Sequence, residues 1–329
     1  MKTSVGLAVY NGQTWLKEQL DSIAAQSLQP DQIVIRDDGS TDGSMDIALA
    51  FKNEHPNLNV LLLKGNTNAG YKENFRHILK ACDGDWIFLS DQDDAWMPHK
   101  MEDMIRQVKN QPQIKVLCSS FTFMDAKSRT YQTEPKPGWS NNNLYPHEVS
   151  SEQLVSVDFE ELVFHNFFQG CSMMISRDIK DKVLDHWDDR IAHDWLIALF
   201  AAWEKGLYFY NKPLFCYRIH SSNTTGMIQG EKTGLLKKLS NINSYHYRTI
   251  VKKDSLNVLD VIEKQLPEAW NEKRQQEKDF FAATLKGVET GSPALIWKQK
   301  NSPLYVQSSG RFGWAADFFY ALSHSSLQK

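Results

Sequence analysis

The sequence is poor in the features that mark a special environment. Its four cysteines, Cys82, Cys118, Cys171 and Cys216, stand far apart with no Cys-x-x-Cys pair. That spacing offers neither a disulfide framework nor a zinc site, and reduced, buried thiols of a cytoplasmic protein are the expectation. No apolar run approaches the ~20 residues that span a bilayer; the longest, Trp195–Trp203, is far too short. Met1-Lys2-Thr3-Ser4 passes directly into a strand-like Val5–Tyr10, without the apolar region and cleavage site of a signal peptide. The net charge of −3 lacks the positive excess that nucleic-acid binding would use. Internal repeats and low-complexity tracts are missing too.

What is present suffices for one large domain or two modest ones, at 329 residues. The chain is organised around Trp86–Trp96, WIFLSDQDDAW. Trp86-Ile87-Phe88-Leu89 is an apolar run of the kind that forms a fully buried strand. After Ser90, the carboxylates of Asp91, Asp93 and Asp94 crowd into four residues. Like charges so close repel, and burying one unpaired is costly, so a positive partner is required. Oxygen ligands on a strand-end loop suit a hard divalent cation, Mg²⁺ or Mn²⁺. A solvated acidic turn leading into the helix marked by Met97, Met101, Met104, Ile105 and Val108 would give the same tetrapeptide.

The context is repetitive. Val5–Tyr10 reads as a strand broken by Asn11-Gly12, and Leu16, Leu20, Ile23 and Ala24 mark a helix. Gln32–Arg36 is a second strand, ending in the turn signal Asp37-Asp38-Gly39-Ser40-Thr41-Asp42-Gly43-Ser44 before a helix near Met45–Asn53. Leu58–Leu63 is a third, followed by Gly65-Asn66-Thr67-Asn68-Ala69-Gly70 and a helix through Phe75, Ile78 and Leu79. Trp86–Leu89 is the fourth and Val116–Phe123 the fifth. Such alternation predicts an α/β fold with a doubly wound, mostly parallel sheet. Ligands bind beyond the carboxyl ends of strands in such sheets. Asn11, Asp37-Asp38, Asn68–Gly70 and Asp91–Asp93 all follow strands, so they are expected on one rim.

Thr130–Val149 is polar, with Pro135, Pro137, Gly138 and Asn141-Asn142-Asn143, and reads as a long loop. His193-Asp194 opens a helix that is apolar almost all round and therefore buried, with Gly206 at its end. Leu207–Tyr210 and Leu214–Ile219 look like two closing strands separated by Pro213. Beyond Gly230 the pattern turns helical, through Leu235, Leu236, Leu239 and Ile242, then Leu256, Leu259 and Ile262, then Trp270–Leu285. The last forty or so residues give no assignable pattern. A catalytic domain over 1–229 and a helical region over 230–329 are expected.

Ala8-Val9-Tyr10-Asn11-Gly12, Asp37 through Ser44, Asn68-Ala69-Gly70 and Asp91-Gln92-Asp93-Asp94, in this order, resemble the family 2 inverting glycosyltransferases of GT-A fold. The resemblance covers roughly Val5–Thr225. His193-Asp194-Trp195 and Tyr217-Arg218-Ile219-His220 with Asn223-Thr224 resemble the bacterial polysaccharide rhamnosyltransferase branch. One departure is His193, where many members carry Glu, so only Asp194 is carried over.

The resemblance implies a Rossmann-like GT-A domain that moves one sugar, rhamnose first, from a dTDP- or UDP-linked donor to a saccharide or lipid-linked saccharide acceptor. It implies donor contacts from Tyr10, Asn11, Asp37, Gly70, Lys72, Asp91 and Arg218. A divalent metal would sit at Asp93, Asp91 and His220, with Asp93 the direct ligand. Asp194 would be the general base, and Gln169, Gly170 and Cys171 would line the acceptor side. Each has a bland counterpart: Asp38 as a turn residue, His220 as a surface histidine, Asp194 as a helix cap.

Two other functions compete. A metal-dependent aspartyl phosphotransferase also carries Asp-x-Asp after a strand. It wants a nucleophilic Asp at the first strand, where this chain has Tyr10-Asn11. A nucleotide-sugar or saccharide-binding module without turnover is the other. After Gly230, Lys232, Lys237, Lys238, Lys252 and Lys253 accompany the apolar positions, and Trp314, Phe318, Phe319 and Tyr320 cluster later. Peripheral contact with the inner face of the cytoplasmic membrane, or a homodimer contact, competes there with plain packing on the catalytic domain.

Overall fold

The apolar runs do form the centre of a sheet. The computed structural model describes residues 1–133, 145–221, 245–309 and 312–324. The expected features Pro135–Asn143, Asn223-Thr224, Lys232, Leu235–Ile242 and the boundary at 229/230 lie outside those residues. Strands β1 (Thr3–Val9) and β2 (Gln32–Asp37) are buried on both faces, which explains their near-continuous hydrophobic sequences. With β3 (Val60–Lys64) and β4 (Trp86–Asp91) they form a parallel block in the order β3-β2-β1-β4. Helices α1 (Leu16–Ala24), α2 (Ser44–Glu54) and α3 (Tyr71–Ala81) make the connections. The chain runs from β1 to β2 and β3 on one side, then returns to β4 on the other. The resulting crevice between the ends of β1 and β4 is the ligand position of an open α/β sheet.

The second half adds a two-residue β5 (Ala95–Trp96), helix α4 (Lys100–Asn110) and the long β6 (Val116–Asp125). Short β7 (Thr130–Tyr131) and β8 (Leu154–Ser156), a turn of helix α5 (Phe159–Leu162), β9 (Met173–Ser176), α6 (Arg177–Asp185), α7 (His193–Trp203) and β10 (Leu207–Ile219) follow. β9 lies antiparallel between β4 and β6, so β1, β2, β3, β4, β6 and β10 all point the same way. The sheet is mixed but mostly parallel, as expected.

Two local expectations are corrected. The closing strands are one strand, β10, whose pairing with β6 shifts between Tyr210 and Pro213 and again before Cys216. Pro213 has no N–H for the ladder, so the strand bulges there instead of ending. The left-handed residue after α7 is Lys205 (φ 56), not Gly206. Gly206 is needed for space: a Cβ there would lie 2.7 Å from the Lys115 side chain.

The chain divides into two compact units, Met1–Leu162 with Asn166–Ile228, and Val163–His165 with Gln229–Lys329. Within the second, helices span Tyr245–Gln265 and Glu272–Glu289, the latter capped by the Asn271 side chain. The unassigned final stretch forms three shorter helices, Pro293–Lys298, Pro303–Ser309 and Gly313–His324. Two begin with Pro at a position where no intrahelical N–H is lost.

Candidate active site

Strand register brings the rim together. Ala8 of β1 pairs with Asp91 of β4, and Val9 pairs with Asp37 of β2. Just beyond, Tyr10 and Gln92 exchange two hydrogen bonds: Tyr10 N donates to Gln92 Oε1 at 2.8 Å and Gln92 Nε2 donates to Tyr10 O at 2.9 Å. The Tyr10 ring is left exposed. Asn11 adopts a left-handed conformation (φ 49), which Asn tolerates better than most residues. Its N–H donates to Ser40 Oγ and its Oδ1 accepts from Thr41 N at 2.9 Å, stitching the first loop to the second.

The paired aspartates after β2 have divided roles. Asp38 is a structural brace: Oδ1 meets Arg36 at 2.8 Å, and Oδ2 accepts from Ala69 N and Gly70 N at 2.9 Å. Asp37 is also buried, and its Oδ2 accepts from Gly39 N and Ser40 N. Asp37 Oδ1 is buried without a hydrogen-bond partner among the described residues. An unmet buried acceptor costs about 1–3 kcal/mol, and an incoming N–H would relieve it. Gly70 sits at φ 88 with open space where a Cβ would stand, so the backbone conformation is what requires glycine. Lys72, in the first turn of α3, donates to the Asp189 carbonyl at 2.6 Å.

The acidic loop is layered. Asp91, Asp94 and Cys171 place ligand atoms within 4.8 Å of one another. Burial, then the charge of Asp93, pushes the Asp91 carboxyl up to about 7, and burial pushes Asp94 well above the carboxylate range. Asp94 Oδ1 accepts from Arg218 N, whereas Oδ2 is buried without a partner among the described residues. Beneath lies fully buried Lys100, whose Nζ donates to Cys171 O at 2.7 Å and stands 4.2 Å from the Trp96 ring centre. Burial lowers its pKa to about 8. Asp93 faces a different partner, its Oδ2 2.7 Å from His220 Nε2. The imidazole also stacks on Trp15, with ring centres 4.1 Å apart.

Asp93 thus pairs with His220, while Asp94 joins Asp91 in the carboxylate cluster. A hard divalent cation fits the carboxylate and imidazole atoms. Cys171 Sγ, a soft ligand, suits such a cation less well.

Arg218, expected to contact the donor, has a fully buried side chain. Nε donates to Asp93 O at 2.6 Å, Nη1 to Asp125 O and Ser128 Oγ, and Nη2 to Glu18 Oε2 at 2.6 Å. It anchors the acidic loop from behind. Gly170 and Cys171, expected on the acceptor side, are both buried, with Gly170 N against Asp194 and Cys171 Sγ against Asp91 and Asp94. Gln169 is half-buried, with Oε1 lacking a partner among the described residues.

Asp194 stands in the first turn of α7, whose cap position is Ala192, so it is not the N-cap. Its Oδ1 accepts from Asn166 Nδ2 at 2.9 Å and Trp195 N at 2.7 Å, and its Oδ2 accepts from Gly170 N at 3.2 Å. Burial nonetheless pushes its carboxyl up to about 6. His193 stacks on Phe75 at 4.0 Å with neither ring nitrogen hydrogen-bonded among the described residues. Burial, then the Lys72 charge, lowers its pKa to about 3, so it packs as a neutral ring.

Sequence reasoning gave no role to Gln92, Lys100, Asn166 or Trp15. Gln92 could have been noticed, being the one neutral residue among the carboxylates. A lysine opening a helix, or an isolated Asn or Trp, carries no such signal.

The comparisons bear on the family and the fold. The family model described as glycosyl transferase family 2 matches residues 4–180. The dTDP-rhamnosyl transferase RfbG of Shigella flexneri is 28% identical over 262 residues, covering 75% of this chain and 82% of RfbG. An uncharacterized glycosyltransferase of Rickettsia typhi, RT0329, is 25% identical over 249 residues, covering 72% of each chain. Among solved structures, S. aureus TarS in complex with UDP-GlcNAc superposes with a TM-score of 0.58 at 16% identity, covering all of this chain and 92% of that one. At that identity the likeness concerns the fold. With a family-model match over more than half its length and the strand-end loops assembled on one rim, the chain belongs to glycosyl transferase family 2.

Proposed function

We propose that the protein transfers a single sugar, with inversion at the anomeric carbon, from a nucleoside diphosphate donor to a saccharide or lipid-linked saccharide in cell-surface polysaccharide biosynthesis. dTDP-linked rhamnose is the first donor to test and UDP-hexoses the second, on the strength of the likeness to the dTDP-rhamnosyl transferase RfbG. A cytoplasmic location follows from where nucleotide sugars are held. The observation that carries the reading is the placement of Asp194. One short turn, Gly170–Ser172, holds its carboxylate through Gly170 N and sets Cys171 against Asp91 and Asp94.

Asp37 Oδ1 offers the acceptor for an imide N–H of uracil or thymine, while the exposed Tyr10 ring offers a face to the base. Asp93 and His220, with Asp91 beside them, would hold a divalent cation. Bound there, it would offset charge on the departing diphosphate. Asp194 takes the proton from the acceptor hydroxyl as that oxygen attacks the anomeric carbon, and the nucleoside diphosphate leaves from the opposite face. Its carboxyl near 6 is ionised at neutral pH yet basic enough to accept a proton.

The test is a donor panel incubated with Mg²⁺ or Mn²⁺. Slow release of nucleoside diphosphate, with inverted configuration in any transferred product, is expected. Release of free phosphate instead, or no turnover of any dTDP- or UDP-linked donor, would overturn the assignment.

A further inference from the structure

The helix Gly313–His324 is apolar on faces that its own unit does not cover. Asp317, Tyr320 and Ala321 point inward and are buried. Trp314 and Phe318 form a flank against Trp297, at ring-centre distances of 6.0 and 5.6 Å. Phe312, Phe319 and Leu322 recur at helical spacing on the outer side, with Phe312 81% and Phe319 65% exposed. Trp297 is itself 49% exposed and borders an open groove of about 500 Å³ with Pro293, Ala294, Lys298 and Phe318. Helices apolar all round are normally buried, and contiguous apolar patches on a protein surface mark a contact.

Charge identifies the partner. From 290 to 329 the sequence holds Lys298, Lys300, Arg311 and Lys329 but a single acid, Asp317. That acid is withdrawn from the surface: it is 1% exposed and paired with Lys252 at 2.7 Å and with Arg248. Lys298 is exposed beside the groove, and the Lys300 ammonium lies 3.6 Å from the Trp297 ring centre. An exposed Trp and Phe side chains, flanked by lysines along a stretch whose one acid is buried, match the interface of an anionic bilayer. No helix among the described residues is long and apolar enough to cross a membrane. The contact is therefore one of lying on the surface.

We propose that the face formed by Trp297, Phe312, Phe318 and Phe319 with Lys298 and Lys300 is a peripheral docking surface for anionic phospholipid. It deepens the proposed function, because a lipid-linked acceptor would be met at that surface. It stands on this unit's own residues, however, and can fail while glycosyl transfer holds.

Co-sedimentation of the full chain with vesicles of phosphatidylglycerol and phosphatidylcholine, against phosphatidylcholine alone, tests it. Binding to the anionic vesicles, weakened by salt, is expected. Phe312→Ser with Phe319→Ser should weaken partitioning by about tenfold or more, since both side chains lose apolar area available for insertion. Lys298→Glu with Lys300→Glu should weaken it by roughly thirtyfold or more. Metal-dependent nucleoside diphosphate release should be unchanged in both variants, which separates this proposal from the proposed reaction. Absence of anionic-vesicle binding, or binding equal in wild type and variants, would overturn it. So would a dimer that the Phe variants dissociate without any vesicle binding, which would assign the face to a second copy.

Discussion

Gly170 donates its backbone N–H to the Oδ2 of Asp194 at 3.2 Å, and a Cβ on Gly170 would meet the neighbouring His193 ring at 2.6 Å. Asp194 and the acidic loop are thereby set by one turn of chain, because Cys171 O receives the Lys100 ammonium and Cys171 Sγ adjoins Asp91 and Asp94. In the proposed reaction, two groups that would act on opposite sides of an anomeric carbon share one backbone turn. Preorganisation of this kind costs nothing at the moment of reaction.

Asp194→Asn should lower kcat by about 10²–10⁴-fold while donor affinity stays nearly constant. The same variant has a stability signature. Folding raises this carboxyl from 3.8 to about 6, so the folded state holds the proton more tightly. The contribution is full below pH 3.8 and is lost as pH rises through about 6, a change of up to about 3 kcal/mol. Asn cannot ionise. Urea denaturation should therefore find the variant gaining on wild type between pH 4 and 7, and kcat of the wild type should rise through about pH 6. A variant that transfers sugar at near-native rate would refute the base assignment.

Asp93→Ala removes the partner of His220 and should abolish the metal-dependent part of nucleoside diphosphate binding while the fold remains. Calorimetry with and without Mg²⁺ or Mn²⁺ reads this directly. Unchanged affinity in all four combinations would mean that this pair holds no cation.

Arg218→Met tests whether the buried guanidinium anchors the acidic loop. Removing it takes a buried donor from the Asp93 and Asp125 carbonyls and from Glu18, and a loss of about 2–4 kcal/mol in unfolding free energy is expected. A residue that only touched the donor would leave stability unchanged and raise KM alone.

Gly12→Ala should displace Gln92, because a Cβ at Gly12 would lie 2.2 Å from Gln92 Oε1. That breaks the two-bond exchange with Tyr10 and should raise donor KM with a small effect on kcat. Gln92→Ala should do the same more mildly. The double variant should be less impaired than the sum, because the clash and the bonds involve one side chain. Additive effects would separate the two residues.

Much of the molecule is local in origin and was therefore legible in the sequence. Apolar runs ending in Asn11, Asp37, Gly70 and Asp91 determine strands with polar loops at one end, and a parallel sheet has to gather those ends. Asp38 as a turn brace and α7 as a buried helix follow from residue chemistry and periodicity. The tertiary structure decided what depends on contacts distant in sequence. Arg218 and His220 are two residues apart, as an exposed strand face would have them, yet the first is enclosed by Glu18, Asp93 and Asp125 while the second meets Asp93 and Trp15. Cys171 and Lys100 likewise became a buried support for the carboxylates through a contact spanning 71 residues. Nothing in either local sequence specifies that partner. The exposure of Phe312 and Phe319 was equally undecided, since an aromatic pattern looks the same whether it faces a core or a surface. Periodicity fixes which residues share a face, and only packing determines what that face meets.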